Sequence, residues 1–274
     1  AWLAIVPVRL AMIEGLGYIF TYPADQLSAK RRLLKSVVGQ MYRFSLSLAS
    51  KVLFLNPDDR AEFAALGYVQ EQKSLCLGGI GIDLNKWQPT PLPSGSVSFL
   101  MVARLLKEKG VAEYAQAAAL VKKTHPHAQF VLLGGLDENP GSIKEAQVVE
   151  WHDSGVLSWH GHKPVAEYMS AASVYVLPSY REGVPVSTME AMAMGRPILT
   201  TDVPGCRETV VNGLNGFMVP ARDAEKLAEK MIWFVDHADK IPAMGQASRR
   251  MAEERFDVRT INQTLIKILL NPKE

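Results

Sequence analysis

The sequence predicts an α/β protein built on parallel sheets covered on both faces. Three observations carry this. From Ser96 to Val219, short apolar runs alternate with helical patterns, the order that demands crossover connections. The polar, proline-rich stretch Gln88-Pro-Thr-Pro-Leu-Pro-Ser-Gly95 separates this part from the one before it and marks a domain boundary. Glycines and charged residues gather just after the apolar runs, where such sheets take ligands.

In chain order, Ala1–Phe20 is apolar but carries Arg9 and Glu14 and is interrupted by Pro7, Gly15 and Gly17. A membrane span is therefore rejected in favour of a helix end and a buried strand over Val8–Ile13. The chain starts at Ala1 inside what reads as a structural element, so part of a first domain is expected to be missing. Asp25 or Ser28 is a cap for a helix to about Ala49. Leu34, Val37, Met41, Phe44 and Leu48 share one face of that helix, opposite Arg31, Arg32, Lys35 and Arg43. A domain helix with a solvated basic face is the plain expectation, and a surface for anionic lipid is the functional one. Lys51–Leu55 reads as a strand, Pro57–Phe63 as a short helix with acidic residues in its first turn, and Ser74–Leu77 as a strand.

The second part reads as strands at Val97–Val102, Gln129–Leu133, Val156–Trp159, Val174–Leu177, Pro197–Thr200 and Gly216–Val219. Helices are expected at Gly110–Lys123, Ser142–His152, Val165–Ser170, from Pro185 to Gly195, and at Pro204–Asn212. Three more close the chain, at about Ala224–His237, Ala238–Arg255 and Val258–Leu270.

The chain has 274 residues, 48% of them hydrophobic, and a net charge of +2, which gives no general case for nucleic acid. Its two cysteines, Cys76 and Cys206, form no CxxC, which fits a reducing compartment. No GxSxG, HExxH or GxxxxGK[ST] is present.

The candidate chemistry lies at strand ends. Ala103-Arg-Leu-Leu-Lys-Glu-Lys-Gly110 puts Arg104 and Lys109 beside a helix start, where two cations neutralise a diphosphate. Gly134-Gly135 permits close backbone approach, as does Gly78-Gly-Ile-Gly-Ile-Asp83, which contains Gly81. His160-Gly161-His162 offers two imidazoles but no third metal ligand; packing against a flat base is the better use. Pro178-Ser-Tyr-Arg-Glu-Gly-Val-Pro-Val-Ser-Thr-Met-Glu-Ala-Met-Ala-Met-Gly195 holds Glu182 in a loop and Glu190 on a mostly apolar helix. Glu190 there needs hydrogen-bond donors, either sugar hydroxyls or a buried ion-pair partner.

Glu182 and Glu190, with seven residues between them, resemble the E-x7-E motif of retaining family 4 glycosyltransferases. Arg104 and Lys109, Pro178-Ser179, Gly195-Arg-Pro197 and Gly213-x-x-Gly216 resemble further blocks of that family. Glu14-Gly-Leu-Gly-Tyr-Ile-Phe20, Phe54-Leu-Asn-Pro-Asp-Asp59 and the loop to Asp83 are similar to its capsular and O-antigen polysaccharide branch. The resemblance implies a GT-B fold of two Rossmann-like lobes with parallel sheets. Residues 1–88 would be the remainder of an amino-terminally truncated acceptor-side lobe, 89–256 the complete nucleotide-sugar lobe, and 257–274 a helix returning toward the first. It implies a retaining hexosyltransferase that moves a sugar from a nucleotide diphosphate sugar, a UDP-sugar, to a lipid-linked or saccharide acceptor at the cytoplasmic face; peripheral contact with the inner membrane surface is the expectation from the basic helix that Asp25 or Ser28 caps. Arg104 and Lys109 would hold the diphosphate, Glu190 the ribose and Glu182 the donor sugar. The backbone of Gly183, Val184, Pro185 and Val186 would meet sugar or phosphate, and Gly134, Gly161, His162 and Gly81 would frame the donor. Neither a cofactor nor a metal is implied. Two other readings stay open: a nucleotide-sugar binding module without turnover, and an epimerase or phosphorylase on a similar fold.

Overall fold

A computed structural model of the chain describes residues 6, 8–17, 20, 28–139 and 141–271. Two parallel sheets organise it. The first runs β1 (Leu10–Ile13), β2 (Lys51–Phe54) and β3 (Ser74–Cys76) in that order. Its crossovers are α1 (Ala29–Ser47) and α2 (Pro57–Ala65). Ser28 caps α1 through its side chain; the alternative cap, Asp25, lies outside the described residues. Asn56 caps α2, Pro57 opens it, and Asp58 and Asp59 fill the acidic first turn.

The second sheet contains β4 (Ser98–Val102), β5 (Gln129–Leu133), β6 (Ser158–Trp159), β7 (Val174–Leu177), β8 (Ile198–Thr201) and β9 (Gly216–Val219). Their order is β6-β5-β4-β7-β8-β9, all parallel. Chain direction across the sheet reverses between β4 and β7, and the loops leaving those two strands diverge to open a crevice. The helices are α3 (Val111–Lys122), α4 (Glu145–Asp153), α5 (Val165–Ser170), α6 (Val186–Ala193), α7 (Ala224–Asp236), α8 (Ile241–Arg255) and α9 (Val258–Leu270). α3 buries Val111, Tyr114, Ala118 and Val121, as their spacing predicts.

Three expectations need correction. Pro204–Asn212 is not a helix but a single 3-10 turn, Arg207–Thr209, because Gly205 takes φ +79° and turns the chain out of helical geometry. Helix α4 starts three residues late, since Lys144 is extended and Ser142 bridges Leu106. Residues 238–240 form a separate 3-10 turn before α8, where Pro242 sits in the first turn.

The largest departure is α1. Its predicted apolar face points outward: Leu34, Val37, Met41 and Phe44 are exposed, the last two at 63% and 70%. The first sheet is covered instead by Leu46, Val38 and Tyr42. Gly39 permits the Tyr68 hydroxyl to approach the helix, where a Cβ would collide with it. Arg43 donates to the carbonyls of Gly67 and Leu66 at the end of α2, and Lys35 stands over the Phe20 ring. Arg31, Arg32 and Arg43 are exposed as expected; what departs from expectation is that the aliphatic stripe is exposed as well.

Two contacts tie the chain between the sheets. The fully buried Arg196 donates to the carbonyls of Met169, Ser170, Thr90 and Pro91 and to the Thr90 hydroxyl, so it satisfies the carbonyl end of α5 and fixes the proline-rich stretch at once. Burial without a carboxylate partner pushes its guanidinium down to about 10. Residue Ile82, beyond the first sheet, pairs with Asp257 just before α9, through Ile82 N–H to Phe256 and Val258 N–H to Ile82.

Candidate functional site

The crevice between β4 and β7 is where the candidate residues meet. β4 delivers Arg104 and Lys109; β7 delivers Glu182; α6 begins after Pro185 and carries Glu190. A cavity of about 320 Å³ is lined by Arg104, Lys109, Glu182, Pro185, Val186 and Glu190 together with Ser187. A second, of about 610 Å³, adjoins it and is lined by Arg104, Lys109, Arg181, Glu182 and Gly183, with Glu14 and Arg31 of the first lobe opposite.

Lys109 and Glu182 are in contact, Nζ to Oε1, at 2.6 Å. Ser179 donates its hydroxyl to the same carboxylate oxygen at 2.7 Å. Ser179 is itself held by Thr201, whose hydroxyl donates to its carbonyl. Arg104 is 65% exposed and pairs with Asp137 at 3.1 Å. Each of these two cations therefore has a carboxylate neighbour.

Glu190 lies half-buried in α6. Burial pushes its carboxyl up to about 7, and Lys86 only partly opposes this. A carboxylate so poorly solvated is an acceptor for hydroxyl donors. The first residues of α6, Val186 and Ser187, have N–H groups with no partner inside the helix, next to Arg104 and Lys109 in the same cavity. The Tyr175 hydroxyl donates to Ser187 at 2.6 Å and fixes that corner from the core side.

Gly183 must be glycine because a Cβ would collide with the Glu14 carbonyl oxygen of the first lobe. Val184 is buried beneath it. Other predicted residues stand elsewhere. Gly134 (φ +154°) lets the ends of β4 and β5 approach, since a Cβ would collide with the Ala103 carbonyl oxygen; its own carbonyl takes the Trp159 indole N–H. Gly161 accepts from the Gly134 N–H at 2.8 Å, and His162 is exposed beside it. Gly81 (φ +75°) packs against Val258 and Ile261 of α9. Among the described residues, these four line neither cavity.

Sequence reasoning missed Asp137 and Glu62, named Ser179, Asn56 and Asp59 only within family-like blocks, and gave no sign that Asn56, Asp59 and Glu62 reach the Glu182 loop from the first lobe. Asn56 was legible as a helix cap from the Asn-Pro-Asp-Asp run; its second set of contacts crosses to residues more than a hundred positions away and leaves no local signal. Among the described residues there is no cluster of His, Cys, Asp and Glu that would hold a metal, and no helix long and apolar enough to cross a membrane.

The model of the family described as "Glycosyl transferases group 1" matches residues 85–251. Over 240 residues the chain is 33% identical to N,N'-diacetylbacillosaminyl-diphospho-undecaprenol alpha-1,3-N-acetylgalactosaminyltransferase of Campylobacter jejuni, covering 82% of this chain and 61% of that protein. It is 25% identical to the capsular polysaccharide biosynthesis glycosyltransferase CapM of Staphylococcus aureus, covering 94% of this chain and 67% of that one. Among solved structures, Anabaena Alr3699/HepE in complex with UDP superimposes with a TM-score of 0.79 at 20% identity, over 98% of this chain and 74% of that chain. That likeness concerns the fold, which is the GT-B type. The chain thus spans roughly three fifths to two thirds of the length of these curated relatives.

Proposed function

The chain belongs to the group 1 glycosyl transferases, and on that footing we propose that it binds a UDP-sugar at the β4–β7 crevice and serves a retaining transfer of the sugar to a lipid-linked or saccharide acceptor in cell-surface polysaccharide synthesis. The observation that carries this is the meeting of Lys109, Glu182 and Glu190, from three separate segments, in one cavity beside the start of α6. A bound structure with UDP in a chain of the same fold, and a relative named for a diphospho-undecaprenol acceptor, support the choice of donor and acceptor class.

Arg104 and Lys109 take the diphosphate, helped by the N–H groups of Val186 and Ser187. Glu190 accepts hydrogen bonds from the ribose hydroxyls, and Glu182 faces the sugar. In the transfer, the bond from the anomeric carbon to the diphosphate oxygen breaks and a bond to the acceptor oxygen forms on the same face. The acceptor hydroxyl proton passes to the departing phosphate, leaving UDP and the glycosylated acceptor. Arg104 and Lys109 stabilise the charge that develops on the diphosphate, which removes the need for a metal. Calorimetry with UDP tests the reading: the chain binds, and Arg104→Ala or Glu190→Ala weakens binding at least tenfold. Absence of binding to uridine and other nucleoside diphosphates overturns it. An inverted anomeric product from the longer protein overturns retention alone.

The peripheral contact is assigned to α1 and an anionic bilayer on the cytoplasmic side. The helix carries Lys30, Arg31, Arg32, Lys35 and Arg43 and no acidic residue. At about 100° per residue, its exposed stripe is centred roughly 120° around the helix from the residues that cover the sheet. The stripe takes no part in covering the sheet and is open to a surface that meets it from outside, and the exposed Lys30, Arg31, Arg32 and Arg43 favour anionic lipid. Vesicles containing phosphatidylglycerol should co-sediment with the chain and phosphatidylcholine vesicles should not; Phe44→Asp with Met41→Asp should abolish the difference.

A further inference from the structure

The three consecutive residues that lead through the sugar-facing loop are gripped from the other lobe. Asn56, at the corner between β2 and α2, is fully buried. Its side-chain amide donates to the Gly183 carbonyl at 2.7 Å and reaches the Glu182 carbonyl at 3.5 Å. Its oxygen accepts from the Asp59 N–H at 2.8 Å, so both ends of the amide are used and the side chain has one orientation. Next in the loop, Arg181 donates to Asp59 through Nε at 3.2 Å and Nη2 at 2.5 Å, to Glu62 at 2.7 Å, and to the Phe20 carbonyl at 3.2 Å. Glu182, between them, turns its side chain the other way, to Lys109 and Ser179.

These bonds are not surface contacts. Asp59 is buried, and burial pushes its carboxyl up while Arg181 pulls it back. A buried carboxylate is tolerated only with such a partner. Glycines on both sides complete the grip: a Cβ at Gly183 would collide with the Glu14 carbonyl, and one at Gly205 with the carbonyls of Glu182 and Gly183. A peptide unit is planar, with its C=O and N–H on opposite edges. Fixing the Gly183 carbonyl therefore fixes the direction of the Val184 N–H, and fixing residues 181 and 183 fixes where the Glu182 carboxylate emerges.

Resting on the donor reading above, we propose that Asn56 and Arg181 are positioning residues for the transferred sugar: the first lobe sets the shape of the Glu182–Gly183 loop, so sugar recognition, unlike nucleotide recognition, depends on both lobes. Arg104, Lys109 and Glu190 stand on second-lobe segments, and no hydrogen bond from Asn56 or Arg181 reaches their side chains. Neither Asn56 nor Arg181 touches the nucleotide in this scheme. A third cross-lobe pair, Arg207 with Asp58 at 3.0 Å, joins the lobes without touching residues 181–183 and serves as the control for simple adhesion.

The test uses the chain with UDP, UDP-glucose, UDP-galactose, UDP-N-acetylglucosamine and UDP-N-acetylgalactosamine as probes. Calorimetry reads affinity for UDP, and saturation-transfer NMR reads how strongly the sugar protons are contacted relative to the uracil protons. Asn56→Ser keeps an oxygen to cap α2 but cannot reach the Gly183 carbonyl; Arg181→Lys keeps the charge but cannot bridge Asp59 and Glu62. Expected in both variants is UDP affinity within twofold of wild type, with the sugar-to-uracil saturation ratio of the best-contacted donor falling at least twofold. Arg207→Ala should leave the ratio unchanged. A ratio unchanged in the Asn56 and Arg181 variants overturns the proposal. So does a parallel loss of UDP affinity, sugar contact and melting temperature, which marks the bonds as adhesion only. If the wild-type chain binds UDP but shows no sugar saturation, the positioning proposal falls and the nucleotide site stands; if it binds no UDP, both fall.

Discussion

Replacing Glu190 by Gln separates the cost of this carboxylate from its use. In the free protein, burial raises its pKa from 4.5 to about 7. Holding the group ionised at pH 8 then costs about 3 kcal/mol at roughly 1.4 kcal/mol per pH unit. The side chain retains some water, so about 1–2 kcal/mol is the expected remainder. The folded state binds this proton more tightly than the unfolded chain does. The contribution to stability is therefore complete below about pH 4.5 and is lost as pH rises through about 7. Urea unfolding should find Glu190→Gln more stable than wild type by about 1–2 kcal/mol at pH 8, with the gap closing toward pH 4.5. Donor binding reverses the balance. Ribose hydroxyls favour the ionised carboxylate, so UDP binding at pH 7, where about half the molecules carry the proton, should release about half a proton. Calorimetry in buffers of different ionisation enthalpy reads that number directly. In Glu190→Gln the release should vanish and UDP should bind about tenfold more weakly. A stability difference independent of pH, or wild-type heats independent of buffer, would refute the reasoning.

Lys109→Ala should weaken UDP binding by about 10- to 100-fold, the loss of one charge-assisted contact to phosphate, measured by calorimetry at fixed ionic strength. Arg196→Met should destabilise the chain by about 3 kcal/mol or more in urea unfolding, because several buried carbonyls lose their donor together, while leaving UDP affinity within a few fold. Gly183→Ala should force the Glu182 loop away from the Glu14 carbonyl, which differential scanning calorimetry would register as a lowered melting temperature and NMR titration as a lost response of the loop to donor. EDTA should leave UDP affinity unchanged, because cations in the cavity come from Arg104 and Lys109.

The second sheet was readable almost strand by strand, because strands buried on both faces carry unbroken apolar runs such as Val174–Leu177. The same regularity located Arg104, Lys109, Glu182 and Glu190, each at a fixed place relative to a strand end or helix start. What failed was whatever depended on a distant partner. The direction of α1 hid behind a conventional amphipathic pattern: Met41 and Phe44 occupy helical spacing that reads as core, yet Val38, Tyr42 and Leu46 take the sheet. The packing of Gly81 against Val258 and Ile261 of α9, more than 170 positions away, likewise left no local signal. Pro204–Asn212 lost its helix to Gly205, whose conformation answers to the carbonyls of the Glu182 loop.

The clamping of Thr90 and Pro91 by Arg196 makes the proline-rich stretch part of the second lobe. The proline-rich stretch looks like a tether by composition, yet it is stapled to the second lobe, and Arg249 staples Trp87 to Ala193 just before it. The chain crosses between the two sheets upstream, near Ile82, and returns near Asp257. Those two passes are hydrogen-bonded side by side. The passage of the chain between the lobes therefore lies beside α9, where Gly81 packs against Val258 and Ile261, rather than at the prolines.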